Sequence, residues 1–432
     1  MAQLAGLAVP NETVFMMETT PLKFGSGATG EVGYDLKRLG VRRPLVVTDH
    51  GLMRVGLPDR ICRALGDAGL SADLYDDVHV EPTDASWQAI ADFVQGHDYD
   101  GFVAVGGGSV IDSAKAANLF TTYPAPLTDY LNKPIGKGIS VPGPLKPLVA
   151  IPTTAGTGSE TTAVAVLDVV SLHVKTGISH RFLRPSLAIV DPLNTVTLPA
   201  AATAYPGFDV LTHALESFTS RPYDARPRHL PDERPVYVGS NPVSDIWCEK
   251  ALEFLGRSLR RAVLNGYDMA ARTDLALAAT YAGIGFGNAG VHVPHALAYP
   301  IAGMVRHFVP PDYPPEEALI PHGLSVISTA PATFRWTFPT SPERHVRAAK
   351  LLGASVAGLT DAEAREVLPR TLLSLMRDTG IPNGLAALGF SDAEVPAIVD
   401  GALKQERLLA GCPRPVGAAE LEAIARASMQ HW

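Results

Sequence analysis

Gly101-Phe102-Val103-Ala104-Val105-Gly106-Gly107-Gly108-Ser109-Val110-Ile111-Asp112-Ser113-Ala114-Lys115 passes from a short apolar run through three glycines into a helical pattern. The run has the length of a buried strand, and the glycines open directly into the helix. Amides at a helix start lack partners within the helix, and the helix dipole favours anions there, so this turn reads as a pyrophosphate cradle. A plain glycine-rich turn is the alternative. Working outward, Pro44 to Asp49, Ala72 to Tyr75, Leu148 to Ile151 and Leu187 to Asp191 read as further strands, with helices expected over roughly 58–68 and 83–96. Strands alternating with helices predict a parallel sheet with crossover helices, an α/β Rossmann-like domain.

The literal G-x-G-x-x-G lies elsewhere, at Gly25-Ser26-Gly27-Ala28-Thr29-Gly30. It is set aside because Glu18 to Phe24 before it is polar and carries Pro21, a poor central strand. Asp49 is kept, since an acidic side chain just after a strand takes ribose hydroxyls and repels a 2'-phosphate, favouring NAD over NADP. Pro152-Thr153-Thr154-Ala155-Gly156-Thr157-Gly158-Ser159-Glu160 also follows a strand; its hydroxyls can reach phosphate, ribose or nicotinamide, or can simply form a turn.

After Thr197-Leu198-Pro199 the chain turns Ala- and Leu-rich, with helices expected from Asp245 to Leu264 and Ala270 to Tyr281. The domain boundary is placed there: residues 1–200 as the α/β dinucleotide-binding domain and 201–432 as an all-helical metal-binding and substrate domain. Two domains are the default for 432 residues, and a hydrophobic content of 46% is that of a globular protein. The Pro-rich stretches Arg221 to Pro242 and Val309 to Pro321 are candidates for loops that close over a substrate. A net charge of -8 with no basic block argues against nucleic acid. Cys62, Cys248 and Cys412 show no metal-ligand spacing and predict no disulfide framework. No apolar run approaches the ~18 residues of a membrane span. The opening segment lacks the charged region of a leader, and a cytoplasmic address is expected.

Gly207-Phe208-Asp209-Val210-Leu211-Thr212-His213-Ala214-Leu215-Glu216 puts a carboxylate and an imidazole one helical turn apart. A surface hydrogen-bonded pair is the common use of that spacing. Here the neighbours are apolar, and a buried charge must be paired or must bind a metal. His295 and His322 stand in similar surroundings and would complete a set of one oxygen and three nitrogens if the fold brings them together.

Taken in order, GGGSxxDxxK at Gly106 to Lys115, PTTAGTGSE at Pro152 to Glu160, GFDxLTHAxE at Gly207 to Glu216, His295, and Pro321-His322-Gly323 resemble the iron-containing (group III) alcohol dehydrogenases over nearly the whole chain. Stretches such as Val80 to Asp84, Pro134 to Gly138, Gly239 to Trp247, Ala282 to His292 and Gln405 to Arg407 are similar to one branch of it, the hydroxyacid-oxoacid transhydrogenases. The resemblance implies an N-terminal Rossmann-like domain, a C-terminal all-helical domain, and a metal and NAD in the cleft between them. It assigns Asp209, His213, His295 and His322 as ligands of Fe(II), which Zn(II) can replace. Candidate cofactor contacts are Asp49, Gly106, Gly107, Gly108, Ser109, Asp112, Thr153, Thr154, Thr157, Ser159 and Lys175. Many family members carry a second histidine where this chain has Tyr299, so Tyr299 or His292 is the candidate for proton transfer.

The implied reaction moves hydride from 4-hydroxybutyrate to 2-oxoglutarate through bound NAD. Both substrates carry a carboxylate remote from the reacting carbon, and Arg306, His307 and Lys175 are candidates to meet it. A conventional NAD-dependent alcohol or 4-hydroxybutyrate dehydrogenase is the first alternative; a lyase like dehydroquinate synthase and a non-catalytic scaffold are others. Small-molecule hydroxyacids, oxoacids, alcohols or aldehydes are the expected partners, and a homo-oligomer, dimer or higher, is expected.

Overall fold

The structure is a computed structural model and describes residues 11–172, 174–231, 234–313 and 318–432. The segment 1–10, on which the targeting expectation rested, lies outside the described residues, as do parts of the two Pro-rich stretches. Six strands, β1 (Leu22–Phe24), β2 (Pro44–Val47), β3 (Asp73–Tyr75), β4 (Gly101–Gly106), β5 (Leu148–Pro152) and β8 (Leu187–Val190), form one sheet in the order β1-β8-β5-β4-β2-β3. Every pairing in it is parallel. A separate antiparallel hairpin joins β6 (Val164–Val169) to β7 (Val174–Ser179).

Successive strand side chains face opposite sides, and β2, β4, β5 and β8, buried on both faces, therefore read as continuous apolar runs. Val46, Val103, Val105, Val149 and Ile151 pack on one face. Leu45, Val47, Phe102, Ala104, Leu148 and Ala150 pack on the other, against Val110, Ile111, Ala114 and Ala117 of the helix Gly108–Thr122. The chain leaves β2 toward one edge and β4 toward the other, so the strand order reverses between them. The crevice beyond the carboxyl ends of such strands is where open α/β sheets bind ligands.

From Ala200 onward the regular elements are helical, beginning with Ala200–Thr219, Pro242–Leu264, Met269–Ala289, Val293–Gly303 and His322–Thr337. They share a core that includes Phe208, Leu211, Leu215, Leu252, Leu255, Leu297, Leu324 and Ile327. Among the described residues no helix is long and apolar enough to cross a membrane.

Two sequence readings meet their physical reasons here. Segment 22–24 is a strand after all, but it lies at the sheet edge beside β8, where Pro21 costs no ladder bond. The G-x-G-x-x-G loop that follows has its amides already engaged: the Asp191 carboxylate accepts from Gly27 N at 3.0 Å and from Thr29 N at 3.2 Å. An anionic ligand would meet a carboxylate there. The hairpin β6–β7 was not anticipated, and it carries Asp168 and Lys175.

Candidate active site

The helix Ala200–Thr219 is buried along its second half, and it places Asp209, His213 and Glu216 at i, i+4 and i+7 on one face. His295 comes from the first turn of Val293–Gly303, and His322 opens His322–Thr337. Gly323 allows that last approach. A Cβ there would stand 1.9 Å from the Tyr205 carbonyl oxygen and 3.0 Å from the Asp209 Cβ, so only glycine lets the two helices meet this closely.

The result is convergence on one oxygen. Asp209 Oδ1 lies 3.6 Å from His213 Nε2, 3.5 Å from His295 Nε2 and 3.8 Å from His322 Nε2. Asp209, His295 and His322 offer ligand atoms that all lie within 4.8 Å of one another. These separations are long for hydrogen bonds, whereas two donors ~2.1 Å from one tetrahedral ion stand roughly 3.4 Å apart. Among the described residues, both oxygens of Asp209 and Nε2 of His295, which face this centre, are buried without a hydrogen-bond partner. Such a set is costly unless a cation completes it, and its oxygen and imidazole donors fit Fe(II) or Zn(II).

Burial alone would raise the Asp209 carboxyl, but the three imidazoles hold it well below the usual carboxylate range. Burial pushes His213 down to about 3, keeping the ring neutral with one nitrogen free to act as a donor. His295 is the exception: burial lowers it, but Glu216 and Asp209 outweigh that and bring it up to about 9. Glu216 accepts from the amides of His292 at 2.8 Å and His295 at 3.3 Å, and from Nδ1 of the His295 ring. That last contact turns Nε2 toward Asp209. Sequence reading quoted Glu216 without giving it a role; the i+7 spacing from Asp209 was the available signal.

The nucleotide loops reach the same cleft. Gly107 caps the helix Gly108–Thr122 without any side-chain bond to its first amides. Gly106 meets Thr153 through a backbone bond of 3.1 Å, and Gly107 faces Thr154. A Cβ at Gly108 would come within 2.5 Å of Thr157. Gly108, Ser109, Asp112, Thr157 and Ser159 line a cleft of about 760 Å3, open solvent included, together with Asp209, His213, His295, His322, Tyr299 and Lys175. Asp112 accepts from Val166 N at 2.9 Å, and the buried Lys115 donates to the Val164 carbonyl at 2.7 Å, so both tie the glycine-rich helix to the hairpin.

Other candidates are placed differently. Asp49 caps the helix His50–Val55 through a 2.9 Å bond from Leu52 N, with one carboxylate oxygen spent on it, beside the β2 end rather than on the cleft wall. His292 is fully buried behind the ligand cluster, pushed down to about 4 by burial, and does not line the cleft. Arg306 pairs with Glu394 at 3.3 Å and shares a separate surface groove with His307, so neither reaches the cluster. Lys175 does line the cleft, but it pairs with Glu81 and lies 3.4 Å from Asp168. Glu81, held at φ 57°, and Arg407 also line the cleft; neither carried a role in the sequence reading.

Residues 19–192 match the family model for iron-containing alcohol dehydrogenase, and residues 233–429 match that for the Fe-containing alcohol dehydrogenase family, C-terminal. The chain is 44% identical over 435 residues to the Bos taurus protein named hydroxyacid-oxoacid transhydrogenase, mitochondrial, covering 99% of this chain and 93% of the relative. The Homo sapiens protein of the same name is 44% identical over the same shares. Among solved structures, a 1,3-propanediol oxidoreductase superposes with a TM-score of 0.84 at 31% identity, covering 96% of this chain and 100% of that one. An alcohol dehydrogenase from Oenococcus oeni gives 0.84 at 26% identity, with the same coverage.

These relatives correct one expectation. The cytoplasmic address is overturned by relatives whose names place them in mitochondria. Compartment is set by an address that receptors read, not by the chemistry of a folded core, so composition and cysteine usage were poor guides to it. With both family models matched in order along the sequence and near-complete overlap with similar proteins, the chain belongs to the iron-containing alcohol dehydrogenase family and is an oxidoreductase.

Proposed function

We propose that this chain is a metal-dependent hydroxyacid-oxoacid transhydrogenase, moving hydride from 4-hydroxybutyrate to 2-oxoglutarate through an NAD it retains, to give succinate semialdehyde and 2-hydroxyglutarate. The observation that carries the reading is the opening of the Asp209 cluster and the Gly108 helix start onto one cleft. The names of the relatives support the class of substrate pair. In this reading, residues 1–200 are the nucleotide domain and 201–432 the helical metal-binding domain, in a homo-oligomer of two or more copies.

Asp209, His213, His295 and His322 would hold Fe(II), or Zn(II) in its place, and the ion supplies Lewis acidity toward the alcohol or carbonyl oxygen. The remaining work falls to the chain's own groups. Glu216 fixes the His295 ring with Nε2 toward the other ligands. The amides at the start of Gly108–Thr122, which no side chain caps, would hold pyrophosphate, and Thr157 and Ser159 line the same cleft. Phe286, stacked on His213 with ring centroids 3.8 Å apart, keeps water from that side of the site. Tyr299 lines the cleft with its ring 5.9 Å from that of His322. Burial pushes its phenol up to about 12, so it serves as a protonated donor toward the product oxygen.

A conventional NAD-dependent dehydrogenase is the second reading, favoured by the 1,3-propanediol oxidoreductase likeness. One experiment separates them. The protein is reconstituted anaerobically with iron and given 4-hydroxybutyrate and 2-oxoglutarate without nicotinamide. Sustained 2-hydroxyglutarate supports the transhydrogenase. Product only after NAD is added, with NADH accumulating when the oxoacid is left out, supports the conventional enzyme.

A further inference from the structure

The walls of the cleft are short of positive charge for an anionic substrate. Glu81, Asp112 and Asp209 all face it. Lys175 is spent on Glu81 and Asp168. Among the described residues lining the cleft, Arg407 is the cation with no ion-pair partner. Its guanidinium carbon sits 4.7 Å from the centre of the Tyr237 ring, which holds the fork in place without taking its donors. The preceding Gln405 side chain donates to the Lys175 carbonyl at 3.4 Å, and Leu408 is buried on the same wall. The short helix Glu406–Leu409 is thereby tied to β7, on a cleft that Tyr299 and the Asp209 cluster also line.

We propose that Arg407 binds the remote carboxylate of both substrates in one shared subsite; this deepens the hydroxyacid-oxoacid reading and rests on it. The chemistry of the pair gives the reason. In 4-hydroxybutyrate two methylenes separate the reacting carbon from the carboxylate. In 2-oxoglutarate two methylenes separate the ketone carbon from the far carboxylate. A single guanidinium on the wall of the cleft that the cluster lines can therefore serve both, and a bidentate fork supplies geometry as well as charge. Sharing the subsite also means that one acid must leave before the other enters.

The test compares 4-hydroxybutyrate with 1,4-butanediol, which replaces the carboxylate by a neutral hydroxymethyl, using metal-loaded protein with NAD supplied. In Arg407→Gln the acid-to-diol ratio of kcat/KM is expected to fall about 10- to 100-fold, the worth of a charged hydrogen bond. The Kd for glutarate, measured by calorimetry, is expected to rise by a similar factor, and Arg407→Lys to recover part of both. An unchanged ratio, or equal loss of acid and diol activity, overturns the proposal. If Arg407→Gln does not fold, Arg407→Lys decides: a ratio below wild type supports the subsite and a wild-type ratio overturns it. Because NAD is supplied, the result stands apart from whether nicotinamide is retained, which the assay without added cofactor decides.

Discussion

The Nδ1 atom of His295 donates to Oε2 of Glu216, while Nε2 of the same ring lies 3.5 Å from Asp209 Oδ1. One carboxylate thus orients the imidazole, and the other shares its far nitrogen's target. Glu216→Gln keeps the shape but weakens the acceptor. Metal affinity is expected to fall roughly 10- to 100-fold, read by competition with a chromophoric chelator, with Tm in the metal-free state little changed. Unchanged affinity would show that His295 needs no such orientation.

Removal of the ion is expected to separate chemistry from nucleotide binding. Dialysis against a chelator, or Asp209→Asn, should abolish hydride transfer, whereas NADH fluorescence should still report binding at the Gly108 helix start. Adding Fe(II) back restores the chelated wild type and not the variant. Joint loss of nucleotide binding and activity would argue that the ligands hold the fold rather than the reaction.

Gly323→Ala places a methyl group 1.9 Å from the Tyr205 carbonyl oxygen. The helix carrying His322 must then move away from the helix carrying Asp209. A loss of about 1–3 kcal/mol of stability is expected, seen as a lower Tm, together with weakened metal binding. Normal stability and metal content would mean the helix contact is looser than described.

Acid should loosen a clasp that shares no residue with the Asp209 cluster. The Arg234 guanidinium holds the Glu12 carboxyl at about 2, aided by amides of Thr13, Val14 and His229, and Glu12 N bonds the Arg226 carbonyl at 2.9 Å. A carboxyl lowered in the folded state adds stability above its unfolded value and loses it as pH falls through the folded one. Wild type should therefore exceed Glu12→Gln in Tm at pH 7, with the gap closing between about pH 4.5 and pH 2. A constant gap over that window would mean the clasp does not depend on charge.

The sheet was legible because its strands are apolar on both faces, as Val46 against Leu45 and Val103 against Phe102 illustrate. The edge strand Leu22–Phe24 and the hairpin β6–β7 were not. The first is three residues beside a proline, and in the second the buried positions of β7 include Lys175 and Gly177, so hydrophobicity does not mark the inward face. Asp209 and His213 were legible as a pair because helical periodicity alone makes them neighbours.

By itself the sequence determined the periodicities, the glycine-rich helix start, the Asp209–His213 pair and the family motifs, since each depends on residues within a few positions of one another or on their order. Only the tertiary structure decided that His295 and His322 complete the cluster, that Asp191 fills the G-x-G-x-x-G loop and that His292 lies behind the site. It alone cancelled Lys175 with Glu81, left Arg407 on the cleft wall with no ion-pair partner among the described residues, and set Arg306 in another groove. These are pairings across tens to hundreds of residues, and charge, burial and partner there depend on which helix packs against which, something no local pattern encodes.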